Sequence, residues 1–201
     1  MRQTFVCFAL VVIASATVTA QAHTGDFEVG IDPTSNRILV EFDPDAFPWL
    51  LPPSEDPMLP GFALDDPGFV SLEDDEAEPG VFEPLNPNAI IRMQVLSVSS
   101  PEFKVWDPLG PGEDGFQIIG TRLWQLGSPH FDTHCWWHID TTDPAYDPAH
   151  GPWSVTFRLL DAAQVHLPSD PITVTFLPEP ASLVASLLAL LVVRPRRSGN
   201  L

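Results

Sequence analysis

The chain has 201 residues, with 23 prolines, 27 acidic residues and nine basic ones, and a formal net charge of −18. Four of the basic residues lie near the two ends, so the segment from His23 to Pro178 holds 5 basic and 26 acidic residues, a net charge of −21. A field of that sign repels nucleic acid, which excludes nucleic-acid binding. Because proline interrupts helices and central strands, we expect short strands joined by turns.

The first 22 residues have the organisation of a secretory signal peptide. Arg2 gives a positive start, an apolar run extends from Phe5 to Ala14, and Ala20-Gln21-Ala22 is an Ala-x-Ala cleavage pattern. The apolar run is shorter than the roughly 20 residues that span a bilayer. We therefore expect a signal helix, export by the general secretory route, and a mature chain that begins at His23.

Residues 23–177 are expected to form a single all-β domain, because apolar and polar residues alternate along several segments. The clearest segment is Trp153–Leu159, whose odd-numbered residues should face the core, and Ile172–Phe176 follows it with its even-numbered residues inward. Short strands with turn-rich spacers favour an antiparallel β-sandwich, Ig-like or jelly-roll-like, with a barrel as the alternative. The other predicted strands are Phe27–Ile31, Arg37–Phe42, Ala89–Val98, Phe103–Trp106, Gly115–Gln125 and His134–Ile139.

Residues 43–88 differ in composition from the rest of this domain. Acidic residues and prolines crowd together, as in Glu73-Asp74-Asp75-Glu76, while large hydrophobic residues remain scattered among them. That mixture is too apolar for a fully disordered segment. We expect a long, acidic, Pro-rich excursion that is partly packed and lies over the edge of the sandwich.

The densest candidate site is the segment 128–140, which carries three of the six histidines with aspartates between them. Imidazole and carboxylate together suit zinc or copper. In an extended strand, however, His134 and His138 lie about 13 Å apart at roughly 3.3 Å per residue, too far to share an ion. A metal site would therefore use one of them together with an outside partner, for which His23, His150 and His166 are available.

His23 has a second interpretation, because cleavage after Ala22 would leave it at the N-terminus. Its α-amine and imidazole could then chelate copper, as in the histidine brace of polysaccharide monooxygenases, with His134 or His138 as the further ligand. Hydrolytic chemistry has less support, since the sequence contains no Gly-x-Ser-x-Gly elbow. A calcium site in the acidic stretch would have clustered carboxylates, but no EF-hand spacing is present, which favours a charged loop. No Gly-rich phosphate loop occurs.

The C-terminal segment 178–201 combines three ordered features: Pro178-Glu179-Pro180, an apolar run from Ala181 to Val193, and the basic residues Arg194, Arg196 and Arg197. This organisation resembles the PEP-CTERM sorting signal. The resemblance implies processing by an exosortase near Pro178-Glu179-Pro180, and transient inner-membrane anchoring through a short apolar helix. It also implies a Gram-negative-type envelope and delivery to the cell surface or to an exopolysaccharide matrix.

Two further segments, His23-Thr24-Gly25-Asp26 and Trp136-Trp137-His138, are similar to the PEP-CTERM proteins controlled by a zinc-uptake repressor, which implies zinc handling. Taken together, the sequence favours a non-enzymatic, exported surface or matrix protein that engages the secretion machinery and an exosortase. A periplasmic or surface protein that binds zinc or copper is the first alternative. A secreted enzyme is the second.

Overall fold

The computed structural model describes residues 25–43, 46, 48–112 and 114–179. The predicted signal helix, His23, and the tail from Pro180 onward, including its apolar helix, lie outside the described residues. The described chain is all-β. Its twelve strands are β1 (Phe27–Asp32), β2 (Arg37–Glu41), β3 (Trp49–Leu51), β4 (Gly61–Leu64), β5 (Phe69–Ser71), β6 (Ile91–Val98), β7 (Phe103–Trp106), β8 (Trp124–Gly127), β9 (Asp132–Thr133), β10 (Trp136–Asp140), β11 (Trp153–Asp161) and β12 (Ile172–Pro178).

The strands form three sheets, with the orders β2-β1-β5-β9, β4-β10-β7 and β3-β12-β11-β6-β8. Most neighbours are antiparallel, as expected, but β1 pairs with β5 and β12 pairs with β3 in parallel. The predicted purely antiparallel arrangement is therefore wrong, and two of the sheets are mixed. Both parallel partners come from the segment 43–88, which crosses from one sheet to another before each pairing.

The alternation predicted for β11 is confirmed. Trp153, Val155, Phe157 and Leu159 are each at most 1% exposed, while their neighbours on the other face are half-buried. On β12, Val174 is fully buried in the same way. Because successive side chains of a strand point to opposite faces, this pattern fixes the register of both strands against the core.

The segment 43–88 is not an excursion over an edge, as the sequence suggested, but supplies one strand to each sheet. Strand β3 extends the five-stranded sheet beside β12, β4 pairs with β10, and β5 lies between β1 and β9. Phe69 and Leu51, from two of these strands, are fully buried. The prolines and acidic residues occupy the turns between strands of only three or four residues, too short to display an alternating pattern.

Two predicted strands have different boundaries. Of Gly115–Gln125, only its end belongs to β8, because Gly120 turns the chain with a φ of +59°. The predicted strand His134–Ile139 begins at Trp136, and residues 132–133 belong to β9 in a different sheet. The chain therefore switches sheets at His134 and Cys135, which bends it at the densest histidine segment.

Aromatic rings fill the core between the sheets. Phe27 contacts Phe69 at 4.9 Å and Phe157 at 5.4 Å between ring centroids, and Trp137 stacks on Phe176 at 5.1 Å. These residues come from five strands, β1, β5, β10, β11 and β12, and so from all three sheets. Burial of such rings contributes most to domain stability, and the offset contacts add about 0.5–1.5 kcal/mol each.

Candidate cation-binding cleft

An acidic cleft lies on the outer face of the four-stranded sheet. In the register of this sheet, Glu28 of β1 pairs with Val70 of β5, which pairs with Asp132 of β9. The neighbouring row, Phe27 and Phe69, points into the core, so the row with the two carboxylates points outward. The cleft has a volume of about 370 Å³, and its lining consists of Asp26, Glu28, Val70, Glu73, Glu76 and Asp132.

His134 stands beside this cleft because the chain leaves β9 there. Its Nε2 atom lies 3.4 Å from Oδ1 of Asp132, and its Nδ1 atom lies 3.2 Å from Oδ1 of Asp66. The imidazole rests against the backbone of Gly68, where a Cβ atom would come within 2.5 Å of the ring. Only glycine at that position leaves room for this ring placement.

Asp26, the residue before β1, completes the group. Its Oδ1 atom accepts a hydrogen bond of 2.7 Å from the Gly68 N–H, which fixes the carboxylate beside the same backbone that supports His134. One ligand atom each from Asp26, Asp132 and His134 lies within 4.8 Å of the others. No other group of three or more potential metal-ligating side chains in the described part of the chain comes so close together.

The electrostatics of the cleft favour a cation. Burial raises the pKa of Glu28, and the nearby carboxylates of Glu76 and Glu41 raise it further. For His134, burial lowers the pKa, but the Asp65 carbonyl and nearby carboxylates outweigh burial and raise it above 6.5. Both shifts have the direction expected where negative charge is crowded.

Two carboxylates and one imidazole are ligands that zinc and copper accept. Ligand atoms at roughly 2 Å from an ion lie at most about 4 Å from one another, so the three side chains would need to move inward slightly. The remaining coordination positions would fall to water or to Glu28, which lines the same cleft. These three side chains are candidate ligands for a divalent cation, and in the structure His134 forms ion pairs with Asp66 and Asp132.

His138 does not join this group. It is 1% exposed, its Nδ1 atom accepts a hydrogen bond of 3.3 Å from Trp106 Nε1, and its Nε2 atom lies 3.0 Å from the Pro60 carbonyl oxygen. A carbonyl only accepts, so Nε2 carries the proton and both ring nitrogens are used. Burial lowers the pKa of His138, which keeps the ring neutral.

His166 is likewise committed elsewhere. Its Nε2 atom accepts a hydrogen bond of 3.0 Å from the Asn86 N–H, and its Nδ1 atom lies 2.7 Å from Oδ1 of Asn36. The structure thus brings neither His138 nor His166 to His134, and the partners of His134 are aspartates instead of the histidines that the sequence offered.

His150 contacts a buried carboxylate. Glu102 is 0% exposed and accepts hydrogen bonds from His150 Nδ1 at 2.8 Å, from Trp153 Nε1 at 3.0 Å, and from the Ser100 hydroxyl. Burial raises the pKa of Glu102, but these hydrogen bonds more than offset it and hold the pKa at about 2. The carboxylate is therefore ionised and locked into the fold at neutral pH.

The predicted sorting residues lie only partly within the described chain. Strand β12 extends through Pro178, which pairs with Leu51 of β3, and the Glu179 N–H donates a hydrogen bond of 2.7 Å to the Leu51 carbonyl. Pro180, the three tail arginines Arg194, Arg196 and Arg197, and the signal cleavage residues Ala20, Ala22 and His23 lie outside the described residues. Pro178 is thus the last residue of β12, and Glu179 is joined to the sheet by one hydrogen bond.

Comparisons with protein-family models, with curated proteins and with solved structures gave no match. Within the described ranges, no helix has the length and apolar character needed to cross a membrane.

Proposed function

We propose that this chain is an exported, non-enzymatic protein of the cell surface or extracellular matrix of a Gram-negative-type bacterium, sorted through its PEP-CTERM-like tail. The observation that carries the proposal is the end of the fold. The last sheet hydrogen bond described is made by the Glu179 N–H, and one residue, Pro180, separates it from the apolar run and its arginines. A compact β-domain followed by an apolar segment with a basic end is the arrangement expected of a folded exported domain with a separate sorting signal.

The same proposal includes the finer architecture and the partners. The three sheets, with one shared aromatic core, form a β-sandwich whose outer faces carry the acidic charge. The N-terminal signal engages the secretion machinery, and the tail engages an exosortase and anchors the chain transiently in the inner membrane. The released domain joins an exopolysaccharide matrix.

A truncation tests the sorting role, and the structure dictates where it must begin. Removal of residues 180–201 keeps Pro178 and the Glu179 N–H in the sheet, whereas removal from Pro178 would also disturb the pairing with Leu51. We expect the shorter chain to fold as the full chain does but to pass into the medium instead of being retained at the envelope. A triple Arg194→Ala, Arg196→Ala, Arg197→Ala variant should shift the same way. Unchanged fractionation of both variants would contradict the proposal.

A second candidate function, cation binding, is favoured by the Asp26, Asp132 and His134 group. Calorimetric titration of the purified protein with Zn²⁺ or Cu²⁺ at neutral pH should show one site that His134→Ala weakens at least tenfold. His130→Ala is the matched control, because His130 is an exposed histidine of the same segment outside the group. Protons compete for His134, so affinity should fall as the pH drops through its raised pKa. Equal binding by both variants, or none by the wild type, would remove the candidate.

The enzyme alternative gains no support from the cluster that most resembles a catalytic triad. Ser100, His150 and Glu102 lie together, but the serine hydroxyl at 3.2 Å and the carboxylate at 2.8 Å both contact the same ring nitrogen, Nδ1. A triad needs the base on one nitrogen and the orienting acid on the other. The serine also bonds Glu102 directly, so no proton relay runs through this imidazole.

A further inference from the structure

A second cavity, of about 510 Å³, lies where the β1–β2 turn, strand β6 and the connection from β11 to β12 meet. Its lining includes Asn36 from the turn, Arg92 from β6, and Leu160 and Gln164 from β11 and the loop that follows. The volume lies within the range of about 300–1,000 Å³ for small-molecule sites. None of these residues belongs to the acidic cleft or to the sorting tail.

The rim of this groove is held in place by hydrogen bonds. The Asn36 side-chain amide donates to the Val165 carbonyl at 2.8 Å, and its oxygen contacts Nδ1 of His166 at 2.7 Å. His166 in turn accepts from the Asn86 N–H at 3.0 Å. A groove that is formed before binding costs little ordering entropy when a ligand enters.

Arg92 is the unusual member of the lining. It is half-buried and pairs across the sheet with Leu160, so its stem lies beside that leucine on the outer face. Within the described part of the chain, no hydrogen bond, ion pair or ring contact engages its guanidinium. The other basic side chains described all have partners, namely Arg37, Lys104, Arg122 and Arg158.

The one carboxylate in the groove lining does not serve as that partner. Both oxygens of Asp161 are occupied by backbone N–H groups at 2.8–3.0 Å, and its charge organises the loop after β11. The donors are the N–H groups of Ile90, Ala163, Val165 and His166. Among the residues that the structure describes, one half-buried guanidinium therefore lies in a cavity without a carboxylate partner, although the chain is rich in acidic residues.

We propose that this groove binds a uronic-acid sugar, with the sugar carboxylate on Arg92. A guanidinium pairs with a carboxylate through two parallel hydrogen bonds, and such charge-assisted pairs are among the strongest in proteins. The C–H face of a sugar ring fits the apolar side chains of Leu123, Leu160 and Leu167, the last of which is 50% exposed. The side-chain amide of Gln164, which is exposed in the same lining, supplies a donor and an acceptor for hydroxyl groups.

The overall charge favours a monoanion over a more highly charged ligand. The domain repels anions at long range. This repulsion is smallest for an anionic ligand that carries a single negative charge on a partly apolar molecule. Inorganic phosphate offers more charge and no apolar face, and should bind poorly. This inference stands apart from the sorting proposal, since it concerns a ligand groove that exists wherever the protein is delivered.

Titration of the purified full-length protein with glucuronate or galacturonate, followed by calorimetry or NMR, tests the inference. We expect Arg92→Gln to weaken binding at least tenfold, as loss of a charge-assisted pair should. Arg92→Lys should retain part of the affinity. Arg158→Gln is the matched control: Arg158 lies on the neighbouring strand of the same sheet and bonds Gln94, outside the groove lining. Thermal unfolding of each variant confirms that it is folded.

The ligand could be a free uronate or one unit of a polysaccharide. An oligosaccharide that carries a single uronate among neutral sugars separates these sources in a parallel titration, because it keeps the single negative charge that the domain tolerates. Tighter binding of this oligosaccharide than of the free uronate indicates a polysaccharide ligand, and equal binding of the two indicates a free sugar. The proposal is overturned if neither uronate form binds, if Arg92→Gln binds as the wild type does, or if glucose or inorganic phosphate binds as tightly as glucuronate.

Discussion

Replacement of the buried carboxylate of Glu102 should reduce stability in a way that depends on pH. The folded protein holds the pKa of Glu102 at about 2, against an ordinary value of 4.5, because three side-chain hydrogen bonds outweigh the effect of burial. One pH unit of displacement corresponds to about 1.4 kcal/mol, so the ionised form contributes roughly 3 kcal/mol to folding. Because the pKa is lowered on folding, this contribution is present above pH 4.5 and is lost as the pH falls towards 2.

Glu102→Gln keeps the shape of the side chain and removes its charge. Its carbonyl can still accept from Trp153 Nε1, but the bonds are no longer charge-assisted, so we expect a loss of about 1.5–3 kcal/mol at pH 7. Glu102→Ala removes every acceptor and leaves the indole N–H of Trp153 buried without a partner. The expected loss is then about 3–5 kcal/mol.

Urea unfolding of wild type and Glu102→Gln between pH 7 and pH 2.5 measures both effects. Other carboxylates titrate alike in the two proteins, so they cancel in the difference. That difference should be constant above about pH 5 and shrink below pH 4.5. Glu55→Gln, at an exposed position, should change stability by less than about 0.5 kcal/mol throughout. A Glu102→Gln difference that is independent of pH, or that is no larger than the Glu55→Gln difference, would refute the reasoning.

Three other substitutions test the packing and the charge pairs. Trp137→Ala removes a fully buried indole that donates a hydrogen bond to the Pro67 carbonyl at 2.9 Å. We expect a loss of about 3–5 kcal/mol in the free energy of unfolding in urea. A loss below about 1 kcal/mol would contradict the place of Trp137 in the core. Burial raises the pKa of Asp140, but hydrogen bonds, first among them the 2.6 Å bond from Lys104, hold this pKa at about 2. Lys104→Met should therefore raise the pKa of Asp140, as measured by NMR titration. An unchanged pKa would be evidence against the Lys104–Asp140 pair. Gly61 has a φ of +116° and no room for a Cβ atom, so Gly61→Ala should cost at least 1–3 kcal/mol in thermal or urea unfolding, and a neutral effect would contradict the local backbone.

The strands that could be read from the sequence are those long enough to show their period. Strand β11 extends over nine residues with strict alternation, and its predicted face is the buried one. Strands β3 and β5 have three residues each, and a window of three residues carries no period. They are strands because long-range partners are available, β12 for one and β1 with β9 for the other. Such pairing depends on topology, which composition does not encode locally.

The candidate cleft was predictable only in part, for a related reason. His134 and the aspartates near it stood out as a dense segment. The estimated separation of His134 and His138 assumed one extended strand, whereas the chain switches sheets between them, and His138 is held instead by Trp106 and the Pro60 carbonyl. Asp26 could not be recognised as a partner, because it reaches His134 only through the register of β1, β5 and β9. Glu102 gave no sequence signal at all, since a buried carboxylate is recognised by its three donors and not by its neighbours in the chain.

The pairing of Pro178 with Leu51 would constrain when a C-terminal tail could be removed from the folded chain. Strand β12 lies between β3 and β11, so it is an interior strand of its sheet, and the backbone directly after it is still hydrogen-bonded at Glu179. An enzyme that cuts a peptide needs that backbone extended and free. If the chain is processed at Pro178-Glu179-Pro180, cutting before folding would leave β12 to find its neighbours without its C-terminal hydrogen bond. Cutting after folding would require the end of an interior strand to fray first. The rate of tail removal would then report the local stability of the sheet, and a variant with a looser β3 would be processed faster than the wild type.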